Sequence, residues 1–173
     1  MRILMVLLFC CLSAAEEGAL PGTSLANKHF ELKIPQLLEA TLTPQQLQMG
    51  VENLNQYIGG YPPSFKSEQQ RDEIYEQWRQ LVAEAELHNE SSKDAELALY
   101  LLAELHRQGH NMDVVGSSDY AMLYLDACFF LDDYSLPCNF SAMYFYLSIG
   151  GGYLSEAEKS LTKLREHYVS PAM

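Results

Sequence analysis

The chain opens on an almost unbroken apolar run from Ile3 to Leu12, set behind Arg2 and followed by Ser13-Ala14-Ala15 and the acidic pair Glu16-Glu17. The run covers about ten residues, too few for the roughly 30 Å core of a bilayer, and small residues stand where a signal peptidase cleaves. Residues 1–15 are therefore expected to be a secretory signal peptide, with a retained anchor as the alternative. Phe9 and Cys10 precede Cys10 and Cys11, where lipoprotein processing requires a small residue, so lipidation is set aside. Residues 16–33 keep no period, include Pro21, Gly22 and Asn27, and read as a flexible lead-in.

Beyond that point apolar positions recur with a helical period. Ile34–Leu42 reads as a short helical turn around Leu37 and Leu38. Thr43-Pro44-Gln45-Gln46 is a strong helix start, with a capping hydroxyl, a proline suited to the first turn and a Gln that reaches back. Leu47, Val51, Leu54 and Ile58 then form one face, ended by Gly59-Gly60 and Pro62-Pro63. Ser67-Glu68-Gln69-Gln70 opens a second helix whose stripe is Ile74, Trp78, Leu81, Val82 and Ala85. It runs to about His88, before a turn at Asn89-Glu90-Ser91-Ser92. A third helix starts at Asp94, carries Leu97, Leu101, Leu102 and Leu105, and is expected to stop at Gly109, with Arg107 suiting its negative end.

Ser118 is the expected cap of a helix over Tyr120–Leu131 that is apolar nearly all round, the pattern of a central, buried helix. Asp132-Asp133 and Pro137 are read as its break, and Asn139 or Ser141 as the cap of the next helix, which carries Ala142, Phe145, Tyr146 and Ile149. Gly150-Gly151-Gly152 ends it. A last helix, about Leu154 to Tyr168, turns Ala157, Leu161 and Leu164 inward against a charged back. No segment sustains strand alternation, so the fold class is all-α. Short connections predict antiparallel helix pairs, and the thinning apolar face of the last helix predicts a solvated cap on a short α/α stack. Residues 34–66 would form an N-terminal helical segment and residues 67–173 the helical-repeat domain.

The 173 residues, 48% of them apolar, suit a single domain with one continuous core. The formal net charge of −12 repels phosphate backbones and anionic membrane surfaces, which excludes nucleic acid as a natural partner and favours a basic protein. No stable membrane insertion is expected once the signal is removed. Cys128 and Cys138 remain after residues 1–15, and in an oxidising compartment such a pair commonly bridges; two buried free thiols are the alternative.

Catalytic and metal chemistry is thinly represented. His106 and His110 have the i, i+4 spacing of metal ligands, but the expected stop at Gly109 separates them and no zinc-protease Glu accompanies them. His29, His88 and His167 lack evident partners. Gly116-Ser117-Ser118-Asp119 has no preceding strand and reads as a helix cap, not a nucleophile turn. Glu84, Glu86 and Glu90 read as a wet helical face. Asn89-Glu90-Ser91 and Asn139-Phe140-Ser141 match the glycosylation triplet. No cofactor site is expected. Among the eleven tyrosines, Tyr134 is the candidate for a partner-binding surface, because it falls in a loop.

One spacing resembles a known family. Ala121, Leu125, Phe129 and Ala142, then Phe145-Tyr146, Ile149-Gly150, Gly152-Tyr153 and Ala157, follow the order of the Sel-one-like repeat, a tetratricopeptide-like helix pair. Ala98, Leu101, Leu102, Leu105 and Gly109 echo the second helix of a preceding pair. The resemblance spans about residues 95–168 and departs at Asp126, where glycine is usual, and at Asp132–Pro137, which replaces a glycine-rich turn. It implies stacked helix pairs, a scaffold or adaptor role without catalysis, and a disulfide between Cys128 and Cys138 of the kind that staples helix pairs in cysteine-rich bacterial members. The expectation is an exported protein, periplasmic or extracellular, that binds an unidentified protein or peptide. A cell-envelope enzyme using a carboxylate, and a self-associating structural protein, are the rival readings.

Overall fold

The computed structural model describes residues 29–90 and 95–169, with backbone alone for 167–169. The expected signal peptide, residues 16–28 of the lead-in, and Ser91-Ser92 lie outside these. Among the described residues the chain is helical, as α1 (Pro44–Ile58), α2 (Glu68–Glu90), α3 (Ala95–Asn111), α4 (Ser117–Leu131), α5 (Leu136–Ile149) and α6 (Leu154–Val169), with a 3₁₀ turn at Gly151–Tyr153. No helix among them is long and apolar enough to cross a membrane.

Local chemistry explains the starts. The Thr43 hydroxyl accepts from the Gln46 amide while the Gln46 side chain accepts from the Thr43 amide, a reciprocal capping box with Pro44 in the first turn. The Ser67 hydroxyl caps the Gln70 amide at 3.1 Å, and Gln70 reaches back to Lys66. Pro137 opens α5 instead of breaking α4. It sits in the first turn, where its missing N–H is no loss, and Asn139 and Ser141 lie buried inside the helix. Gly116, in the left-handed region at φ 83°, precedes α4, so Ser118 lies within the helix and is not its cap. The turn expected at Asn89-Glu90 is instead the end of α2. Ile34–Leu42 forms no helix, and Leu38 is fully exposed.

Residue pairings give the helix directions. Trp78 meets Leu105, and Thr41 before α1 meets Glu84, so α2 runs antiparallel to α3 and to α1. Val51 and Ile58 of α1 meet Gln108 and Asn111, so α1 and α3 run the same way. Glu104 and His110 meet Ser141 and Phe145, which makes α5 parallel to them both. The closest pairings along helix length are α3 with α4 and α5 with α6; α4 and α5 touch over a much shorter stretch.

The central helix is α3, not α4. It packs on α1, α2, α4 and α5, and every residue from Leu101 to Gly109 is buried. Gly109 does not stop it. A β-carbon there would lie 2.5 Å from the Ser117 hydroxyl and 2.6 Å from the Trp78 ring, so glycine lets α3 approach α2 and α4 together. The residues read as an N-terminal segment share this core, since Leu47, Val51, Leu54 and Ile58 pack with Trp78, Val82, Leu101 and Leu105. The end of the lead-in is also tied down. Phe30 is buried in a parallel bridge with Val114, its carbonyl accepts from the Val115 amide at 2.9 Å, and its ring stacks on Tyr75 at 4.1 Å.

Candidate protein-docking face

A helix that is apolar on all sides must either be surrounded or show an apolar side to solvent. α4 does the second. Ala121, Leu125 and Cys128 face inward, while Tyr120, Leu123, Phe130 and Leu131 are exposed, Phe130 at 89% of its full area. α5 repeats the arrangement, with Cys138, Ala142 and Phe145 inside and Phe140, Tyr144 and Leu147 outside. The described residues hold most of their exposed large apolar side chains between Tyr120 and Leu154. Single exposed apolar residues are ordinary; here they recur in rows along two consecutive helices.

The inner sides of these helices are firmly set. Ala121, Leu125, Ala142, Phe145, Tyr146 and Ala157, expected from the repeat pattern, join Ala103 in one buried cluster, with Phe129 and Ile149 against it. Ala98, Leu101, Leu102, Leu105 and Gly109 are buried in α3. Gly152 packs on nothing; it is exposed, with open space where a β-carbon would stand. Cys128 and Cys138 form a disulfide with Cα atoms 6.5 Å apart, joining α4 to the first turn of α5. Tyr134 is exposed in the loop between them, its ring 5.9 Å from the Lys163 ammonium, which also pairs with Asp133.

Beneath the face lie polar groups whose burial the sequence does not reveal. Arg107 and Glu104 pair at 2.5 Å, nearly fully buried, and Ser141 donates to the same carboxylate at 2.8 Å. Burial alone would raise the Glu104 carboxyl, but Arg107, Ser141 and Asn55 hold it below its ordinary value. Arg107 also donates to the Gly59 carbonyl and Asn111 to that of Ile58, so α3 side chains satisfy carbonyls at the end of α1, while Gln108 donates to the Val51 carbonyl in the middle of that helix. Glu84 is buried as well and belongs to no wet face. It accepts from the Thr41 hydroxyl and from the Thr41 and Leu42 amides, which outweigh its burial and lower its pKa. Glu86 behaves differently: burial, with Glu90 nearby, raises it.

His106 and His110 share the unbroken α3, but they assemble no metal site. His106 is 1% exposed, its ring stacked with Tyr120 and Tyr124 at centroid distances of 5.1 and 5.5 Å and edge-on to Trp78 at 6.0 Å. Among the described residues no three His, Cys, Asp or Glu side chains converge as metal ligands. His88 Nε2 lies 2.7 Å from the Leu42 carbonyl. The Asn139 amide is buried and donates to the Asp133 and Ser135 carbonyls, so this triplet offers no free acceptor for a glycan in the folded protein. Open grooves of the described residues include one of about 540 Å³ between α1 and α2 and one of about 500 Å³ between Tyr134 and α6. No protein-family model, curated protein or solved structure matches the chain.

Proposed function

We propose that the protein is an exported, non-catalytic helical-repeat module that docks another protein on the outer faces of α4 and α5. The observation that carries this is the exposed apolar row on each helix, backed by a packed core and tied by the Cys128–Cys138 disulfide. Three observations support the repeat reading: the common direction of α1, α3 and α5, the contacts of α3 with both of the others, and the burial of the Sel-one-like alanines and aromatics in one cluster. Export rests on residues 1–15 and on the bridged cysteines, since disulfides persist in oxidising compartments.

The test is site-specific photo-cross-linking in cells that express the whole chain. A photoreactive residue at Phe130 or Tyr144 should capture a discrete protein, whereas one at Glu158 on α6 should not. Phe130→Asp should end capture from Tyr144 without changing the melting temperature, because the side chain is solvent-facing. Equal capture from Glu158, or capture indifferent to Phe130→Asp, would refute the proposal. N-terminal sequencing of the mature protein should begin at Glu16.

A further inference from the structure

The outer face of α4 has a register as well as a composition. Tyr120, Leu123, Ala127 and Phe130 follow one another at steps of three, four and three, the seam spacing through which two α-helices interdigitate; all but Ala127 are exposed, and Ala127 is half-buried against Leu99 and the Cys128–Cys138 bridge. The seam is about 15 Å long at 1.5 Å per residue, roughly three turns. Asp119 and Asp126, both exposed, stand seven residues apart and immediately precede Tyr120 and Ala127 in that register. They form a line of carboxylates along one border of the seam. Asp133 continues the spacing but lies past the end of the helix, where Lys163 pairs with it. From Asn111 to Glu158 the chain has no Lys, Arg or His at all.

Resting on the docking reading above, we propose that α4 takes an amphipathic helix of another protein, with an apolar seam against Tyr120, Leu123, Ala127 and Phe130 and with Lys or Arg along the edge that meets Asp119 and Asp126. Charges bordering a helical seam select partner and orientation while the apolar positions supply affinity. A second copy of this chain is a poor occupant. Symmetric pairing would bring equivalent patches of two molecules together, each with a formal charge of −12 and no base on either α4. An anionic membrane surface is repelled for the same reason.

The experiment uses two synthetic peptides of about 20 residues, long enough to hold a helix on binding. Both carry the same Leu/Ile seam; one has Lys and the other Glu at the flanking positions. Each is titrated into the protein and followed by fluorescence anisotropy, with sedimentation of the protein alone. The Lys peptide should saturate at one per chain and bind about tenfold or more tightly than the Glu peptide, a gap that narrows with salt. Phe130→Asp should abolish its binding, and Asp119→Asn with Asp126→Asn should weaken it about tenfold. Glu158→Gln with Glu166→Gln makes the same change in net charge on α6 and should leave binding unaltered.

Equal affinity for the two peptides, or equal weakening by the α6 pair, overturns the charge selection. If cross-linking from Tyr144 still captures a Phe130-dependent partner, only this inference falls and the docking function stands. A concentration-dependent dimer abolished by Phe130→Asp would assign the face to a second copy. Peptide binding that appears only when residues before His29 are removed would assign it to the chain's own N-terminus. Either result also overturns the proposal.

Discussion

His106 makes the core sensitive to mild acid, and the size of the effect follows from its surroundings. Its ring lies between Trp78, Tyr120 and Tyr124, and both ring nitrogens lack a hydrogen-bond partner among the described residues. Desolvation lowers its pKa from 6.5 to about 4, so the folded protein holds the ring neutral. In the unfolded chain the same ring takes up a proton as pH falls below 6.5. The unfolded state therefore binds the extra proton throughout the interval, and stability must drop as pH falls from 6.5 towards 4. The contribution is intact above pH 6.5 and fully lost below about 4. Between pH 7.5 and 5.0 the two titration curves differ by about 2 kcal/mol, and across the whole interval by about 3 kcal/mol. Against a typical domain stability of about 5–15 kcal/mol, that is a large fraction.

Other groups titrate near this range, so the comparison is made within one position. His110, half-buried, is also lowered by desolvation and adds a loss of the same sign. Glu84 and Glu104 are held below their ordinary value of 4.5, so their contribution is lost only beneath it. Urea denaturation of wild type and His106→Phe at pH 7.5 and 5.0 isolates the histidine. Wild type should lose about 2 kcal/mol more than the variant over that step, whatever their relative stability at pH 7.5. Equal losses would mean that the ring is hydrated or hydrogen-bonded in the native state, and the burial argument would be wrong.

Gly109→Ala should destabilise by about 1–3 kcal/mol in denaturant titration despite the better helix propensity of alanine, because Trp78 and Ser117 already occupy the space. A neutral result would show that α2 or α4 moves away freely. Replacing Cys128 and Cys138 together by Ser should lower stability by about 2.7 kcal/mol, the loop-closure entropy for a separation of ten residues, with helical circular dichroism retained. Arg107→Met should cost about 3–5 kcal/mol by stranding the Glu104 carboxylate, and adding Glu104→Leu should recover most of that loss in thermal melts. If the double variant is no better than the single, the charge pair is not what Arg107 contributes.

Elements set by short-range chemistry were legible in the sequence. The Thr43–Gln46 capping box, the Ser67 cap and the α1 face of Leu47, Val51, Leu54 and Ile58 each depend on residues at most four apart, and each stands where the pattern puts it. The centrality of α3 was not legible. Glu104, Arg107, Gln108 and Asn111 look like a solvated helix end; the last three meet carbonyls in and just after α1, about fifty positions earlier, and Glu104 meets Arg107 and Ser141. Gly109 shows the same ambiguity, because a glycine that ends a helix and one that admits a neighbouring ring are the same letter. Pro137 was ambiguous in direction, since proline suits the first turn of one helix as well as the end of another.

The misreading of α4 bears most on function. An apolar surface bound by neighbouring helices and one awaiting a partner have the same composition, and periodicity cannot separate them. Geometry can. The inner side of α4 is held by α3 and by the Cys128–Cys138 bridge, and Tyr120 of the outer seam rests directly on the buried His106 ring. The seam is thus presented on a helix whose position is already fixed, so little ordering entropy opposes docking. The same contact bounds the face's own response to acid, since only protonation of the folded His106 ring would place a charge directly beneath Tyr120. Because the folded ring stays neutral down to about pH 4, the face keeps its charge state while the core weakens, so peptide affinity between pH 6.5 and 5 should be the same in wild type and His106→Phe. A loss of affinity over that interval in wild type that His106→Phe removes would show that the folded ring takes up its proton well above pH 4.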